Sequence, residues 1–318
     1  LSGIFSSGVN TVAQINTCSE HTQLFHTTDA QITTVLAHKA LKWEVQAEQS
    51  AQKAADLDPQ ALRSELAFLV EANNQEATVQ LPLGQYDVVF GPAATAELIS
   101  FMNYIGFNGG MMKRGYSFLS EAQIGEQVFS EHFTLTDDPS RIETFPYRRD
   151  LTGIPRERFP LFDQGVFQGF IWSQDDADEF DKDPTGHTVP HKSLVLDGGT
   201  EATGSLADLA ATPRERDLLY IPFLHYMNIV NPTQGLVTAS SRFGALWLKA
   251  DGSMEIPYNV RLTQSLLDLF GDKVAWLSRQ TVPYNTSSSY GARNPTAVIT
   301  PRFFCVRDVA ISHANASF

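Results

Sequence analysis

Two histidines four residues apart, in Gly186-His187-Thr188-Val189-Pro190-His191, follow closely on Asp181 and Asp183. Neutral imidazoles and carboxylates are ligands that zinc accepts, so His187 and His191 are the best local metal candidates. Pro190 argues against a regular helix, so the spacing need not bring the rings together; loop histidines bonded to backbone or water are the competing reading. His21 and His26 make a weaker pair, because their odd spacing puts them on opposite faces of an undistorted strand. The run Asp175, Asp176, Asp178, Glu179, Asp181 and Asp183 offers oxygen ligands for calcium. It lacks the Gly and terminal Glu of an EF-hand loop, and reads as a solvated helix face and turn. Cys305, within Arg302-Phe303-Phe304-Cys305-Val306, reads as a buried structural thiol, since no neighbouring base is there to make it a nucleophile. Trp172, Trp247, Trp276 and Tyr226 are candidates for lining a peptide cleft, although each taken singly reads more readily as core.

The sequence has no Gly-rich phosphate loop, no G-x-S-x-G elbow, no paired CxxC and no H-E-x-x-H helix, which speaks against hydrolases built on those plans. The net charge of -13 opposes nucleic acid as the main ligand, because phosphate-binding surfaces are built from clustered Lys and Arg. The densest basic runs, Tyr147-Arg148-Arg149 and Arg156-Glu157-Arg158, are short and interrupted. With 42% hydrophobic and 19% charged residues over 318 positions, the chain reads as an ordinary globular protein, long enough for two domains. Cys18 and Cys305 are too few for a disulfide framework and suit a reducing compartment, although one bridge stays open. No apolar run approaches the ~18 residues of a membrane span, and the start lacks a signal-peptide pattern. A soluble, cytoplasmic protein with no membrane partner is expected. The first residue is Leu rather than Met, which suggests a fragment.

Around these residues the elements read as follows. Gly8 to Lys42 alternates polar and apolar types and predicts consecutive antiparallel strands. Asp58-Pro59 starts a helix with Leu62, Leu66, Leu69 and Val70 inward, and a polar link follows near Asn73 to Glu76. Tyr86 to Phe90 is a buried strand. Pro92 opens a second helix with Leu98, Ile99, Met102 and Ile105 on its apolar side, ended by Gly109-Gly110. Ser117 to Gln168 reads as loops and strands broken by prolines. Strands are expected over Leu218 to Phe223, Ser240 to Lys249, Glu255 to Tyr258 and Ala297 to Ile311. An amphipathic helix is expected over Asn259 to Phe270, closed by Gly271 in a left-handed cap. Segregated runs of strands and helices favour an α+β fold.

Several stretches, taken in order, resemble the TldD/PmbA family, also called modulators of DNA gyrase. Tyr86 to Ala94 is similar to the family's strand and helix entry, and Lys113-Arg114-Gly115-Tyr116-Ser117 to its basic-Gly-Ser turn. Asp163 to Gly169 resembles a family hairpin, and Thr185-Gly186-His187 the turn after it. Asn231-Pro232-Thr233-Gln234-Gly235, Phe243 to Trp247 and Glu255 to Val260 resemble later segments. Each is weak alone; the colinear set is specific. The resemblance implies an antiparallel-sheet-rich C-terminal domain over residues 79–318, preceded at 1–78 by part of the family's N-terminal domain. Ser6 to Asn10 resembles a segment well inside that domain, implying that its first part is missing. Phe145 to Leu161 matches only loosely.

TldD-type members carry H-E-x-x-x-H on the helix before the basic-Gly-Ser turn and a Cys ligand near the chain's end. Counting back from Arg114-Gly115, the two His positions fall on Ser100 and Ile105 and the Glu on Phe101, while the Cys region falls near Ser287 to Ser289. A hydroxyl, an aliphatic chain and a phenyl ring neither hold zinc nor activate its water. The resemblance therefore implies the PmbA/TldE branch with no cofactor: a non-catalytic subunit, partnered by a zinc-bearing TldD-like paralogue or by itself, acting on extended peptides. Two alternatives stay open: a hydrolase with a metal site around His187, His191 and His225, and a stand-alone peptide-binding or scaffold homodimer.

Overall fold

The computed structural model describes residues 1–17, 22–75, 78–286 and 295–315. The chain opens with a meander of three antiparallel strands, β1 (Ser2–Ile15), β2 (Thr22–His38) and β3 (Trp43–Ala51). Helix α1 (Pro59–Gln75) follows, capped by Asp58 Oδ1, which accepts from the N–H groups of Gln60 and Ala61 at 3.0 Å each. It extends through Asn73, where a link was expected. Leu62 and Leu69 are buried on it, while Leu66 and Val70 are half-buried.

After β4 (Thr78–Val79), β5 (Gly84–Phe90) leads into α2 (Pro92–Ile105), with Gly91 at the N-cap and Pro92 in the first turn. Helix α2 stops at Gly106, where a Cβ would lie 2.6 Å from the Met102 carbonyl oxygen. Gly109 and Gly110 do not end it, as the sequence suggests, but begin a second helix, α3 (Gly109–Lys113), capped by Asn108. Added Cβ atoms there would meet Trp172 at 2.6 Å and Asp176 at 2.2 Å, so the glycine pair answers close packing. Strands β6 (Leu135–Asp137), β7 (Phe159–Asp163) and β8 (Val166–Phe167) alternate with loops, then come α4 (Gln174–Phe180), β9 (Leu194–Leu196) and α5 (Leu206–Ala211).

The final third adds β10 (Leu218–Ile221), β11 (Phe223–Asn231), β12 (Leu236–Arg242), β13 (Leu246–Leu248), β14 (Met254–Pro257), β15 (Val260–Ser265), α6 (Leu266–Phe270), β16 (Val274–Leu277), β17 (Thr281–Asn285), β18 (Ala297–Pro301) and β19 (Phe304–Ala314). The expected strand from Ser240 to Lys249 is two, because Phe243 and Gly244 turn the chain at φ 64° and 97°. The expected helix from Asn259 is mostly β15, with Val260, Leu262 and Gln264 buried at period two. Leu262 and Leu266 also fit a helical spacing, and pairing with β12 and β19 decides for the strand. Helix α6 is only five residues long. Gly271 has φ −86°, so it is no left-handed cap; a Cβ would sit 2.4 Å from the Leu267 oxygen.

Two larger sheets form the body: ten strands in the order β11-β12-β15-β19-β5-β10-β13-β14-β4, with β16 beside β19, and six in the order β17-β18-β9-β6-β7-β8. Pairing is mostly antiparallel; β5 with β10, β4 with β14 and β9 with β18 are parallel. The fold is α+β. Strand β10 and the end of β5, Val88 to Phe90, are apolar and buried at every position because both faces of the sheet are covered there. Val88 and Phe90 enter the main core with α2, while Val89 between them enters a second core against β3, α1 and α5. The main core holds a phenylalanine cluster, with Phe129 and Phe162 at 4.7 Å and Phe133 and Phe270 at 4.8 Å between ring centres.

Candidate functional site

A cleft of about 480 Å³ opens between β3 and α1 on one side and β17, β10 and the start of α2 on the other. Strands β3 and β17 are each the outer strand of their sheet, so two strand edges border one cleft. Ser50 Oγ on β3 donates to the Pro283 carbonyl oxygen on β17 at 3.0 Å. On β3, Trp43, Val45 and Ala47 are buried and Glu44, Gln46 and Glu48 point the other way. The strands expected from sequence stop at Lys42; β3 lies beyond them, and its Gln46 and Glu48 line the cleft.

Burial pushes the Glu48 carboxyl up to about 8, against the opposing effect of its bonds with Gln46 and Tyr284. The Gln46 amide donates to it at 2.9 Å. Tyr284 is pushed well up by burial and by the negative charge of Glu48 and Glu97, and Glu97 on α2 is itself raised by burial. Arg302 is paired with Glu65 at 2.6 Å; burial works against its charge and the partner outweighs it. A carboxyl that is neutral at pH 7 beside a tyrosine presents hydrogen-bond donors and acceptors without net charge. Such a surface suits amides. None of Trp172, Trp247, Trp276 and Tyr226 lines it; Phe68, Tyr220, Phe223 and Phe243 do.

One turn and more along α2 stand the positions singled out in sequence. Ser100 Oγ donates to the Ala96 carbonyl oxygen at 2.8 Å. Phe101 is half-buried against the main core, and Ile105 is wholly buried inside it with Leu98 and Met102.

His187 and His191 have structural partners. The His187 ring is buried, with Nδ1 2.8 Å from Thr185 Oγ1 and Nε2 2.9 Å from Asp137 Oδ2. Arg156, also buried, holds the same carboxylate, which accepts from the Ser193 N–H as well. Burial alone would raise Asp137, but His187 and Arg156 outweigh it and hold the carboxyl at about 2. His191 donates from Nε2 to the Phe145 oxygen at 3.2 Å, and burial pulls its pKa down. His225 lies on β11, in the other large sheet, against Tyr226 and Arg242. The acidic run is α4 and its exit: Asp176 and Glu179 take Arg114, and Asp181 ends the helix at φ 53°. Among the described residues no set of three or more His, Cys, Asp or Glu side chains is placed to hold a metal. Cys18, His21 and Ser287 to Ser289 lie outside them.

A family model described as the PmbA/TldA metallopeptidase C-terminal domain matches residues 83–312, most of the chain. The chain belongs to the PmbA/TldD family. Solved structures agree on the fold. TldE from Thermococcus kodakarensis matches with a TM-score of 0.74 at 18% identity, covering 92% of this chain and 64% of that one. Proteins labelled modulators of DNA gyrase follow: one from Bacteroides thetaiotaomicron at 0.72, 18% identity, 97% and 65% coverage, and one from Thermotoga maritima at 0.69, 16%, 92% and 64%. This PmbA/TldD chain thus spans just under two thirds of these relatives' length. Among curated proteins there is no match. No helix of the described residues is long and apolar enough to cross a membrane.

Proposed function

We propose that this chain is a non-catalytic PmbA/TldE-like subunit that shapes the peptide-binding cavity of a TldD-type zinc metallopeptidase complex. The observation that carries this reading is Ile105, closed inside the core, with Ser100 bonded to backbone and Phe101 offering no donor atom. Hydrolysis by zinc needs nitrogen, sulfur or carboxylate ligands and an activated water; here a zinc-bearing paralogue supplies them, or the chain serves as a peptide-binding dimer of itself. The cleft supports the peptide half of the proposal. Its two bordering strands can pair with the main chain of an extended peptide, and Gln46, Glu48 and Tyr284 add side-chain bonds. The charge of -13 argues against DNA.

The test is metal analysis of the purified chain after zinc loading and desalting, with hydrolysis of an unstructured peptide. The proposal expects neither retained zinc nor cleavage; one zinc per chain together with cleavage overturns it.

A further inference from the structure

A second pocket of about 310 Å³ shares no lining residue with the cleft. Leu151, Ile171 and Val189 give it apolar walls, and Asn108, Thr188 and Lys192 give it polar ones beside Ser173, Asp176 and His187. Lys192 is half-buried and has no hydrogen-bond or ion-pair partner among the described residues. The carboxylates whose charge reaches it are committed elsewhere: Asp137 to Arg156 and His187, and Asp176 to Arg114 and Ser173. Asn108 Oδ1 already accepts from the Met111 N–H at 3.0 Å, which leaves its amide N–H groups to donate. Thr188 Oγ1 already accepts from the Gln174 N–H at 2.8 Å, which leaves its hydroxyl proton to donate. Asp176 is neutralised by Arg114, Ser173 is bonded to Asp176, and His187 is held by Thr185 and Asp137, so the lining groups free to meet a ligand are donors, and one is a cation that burial disfavours.

We propose that this pocket binds a carboxylate borne on a short apolar group, with the anion held by Lys192, Asn108 and Thr188 and the apolar group against Leu151, Ile171 and Val189. The carboxylate supplies the counter-ion Lys192 lacks, in the pattern of a small-ligand site with few convergent polar groups. A free small acid and the C-terminus of a peptide share this chemistry.

Calorimetric titration with N-acetyl-leucine, its amide, and a longer leucine-terminated peptide tests the assignment. The acid is expected to bind at least about tenfold more tightly than the amide; K192M loses about tenfold or more, and K192R keeps most of the affinity. In the unaltered protein, N-acetyl-leucine is expected to slow acylation of Lys192 by a succinimidyl ester while exposed Lys39 and Lys42 react as before. Binding of N-acetyl-leucine without the peptide assigns the pocket to small acids, and binding of the peptide, with or without N-acetyl-leucine, assigns it to chain ends; either supports the proposal. Failure of both to bind, or equal binding of acid and amide, overturns it.

Discussion

Glu48 and Tyr284 are hydrogen-bonded to each other from the outer strands of two different sheets. The Glu48 carboxyl titrates at about 8 when folded and at 4.5 ordinarily, so the folded chain holds a proton that the unfolded chain gives up. Stability from this group is fully present below 4.5 and is lost as pH rises through 8. Glu48→Gln is expected to match the parent near pH 5 and exceed it by at least about 1 kcal/mol at pH 9. Urea denaturation of both proteins at the two pH values checks this; a parent as stable as the variant at pH 9 would refute it.

Ile105→Ala removes buried atoms from the main core and is expected to cost about 2–5 kcal/mol of stability. Ser100→Ala loses only a bond back to its own helix and should stay within about 0.5 kcal/mol. Denaturation midpoints separate the two. A large effect at Ser100 with none at Ile105 would contradict the packing described.

Asp137→Asn leaves Arg156 buried without its counter-ion, and a loss of about 3–5 kcal/mol is expected. Because Asp137 titrates at about 2 rather than 3.8, its stabilisation is present above 3.8 and lost as pH falls through 2. The parent should therefore unfold in acid over a range where Asp137→Asn shows a shallower slope. His187→Ala should lower stability and leave metal content unchanged, read by thermal melting and elemental analysis.

Burial pushes the Cys305 thiol up to about 12, so the native thiol is protonated and shielded. Iodoacetamide at pH 8 is expected to leave Cys305 unmodified in the folded protein and to alkylate it after denaturation, as peptide mass spectrometry would report. Rapid native alkylation of Cys305 would show that β19 opens.

Local signals placed much of the fold. Asp58-Pro59, Gly91-Pro92 and the apolar runs of β5 and β19 carry their caps and burial in the sequence itself. Residues 259–270 misled because Leu262 and Leu266 satisfy a helical period while Val260, Leu262 and Gln264 satisfy a strand period, and only pairing with β12 and β19 chooses. Glu48 was illegible because the strands expected from sequence stop at Lys42, before β3, and no local signal shows that β17 lies over that face. Lys192 is one lysine among surface-like neighbours until the carboxylates around it are seen to be taken.

The most direct measurement is peptide hydrolysis by the purified chain alone, with zinc present, beside the same chain mixed with a zinc-bearing family paralogue. The account predicts no cleavage from the chain alone and cleavage from the mixture. Cleavage by the chain alone, abolished by a chelator and accompanied by one zinc per molecule, would contradict it.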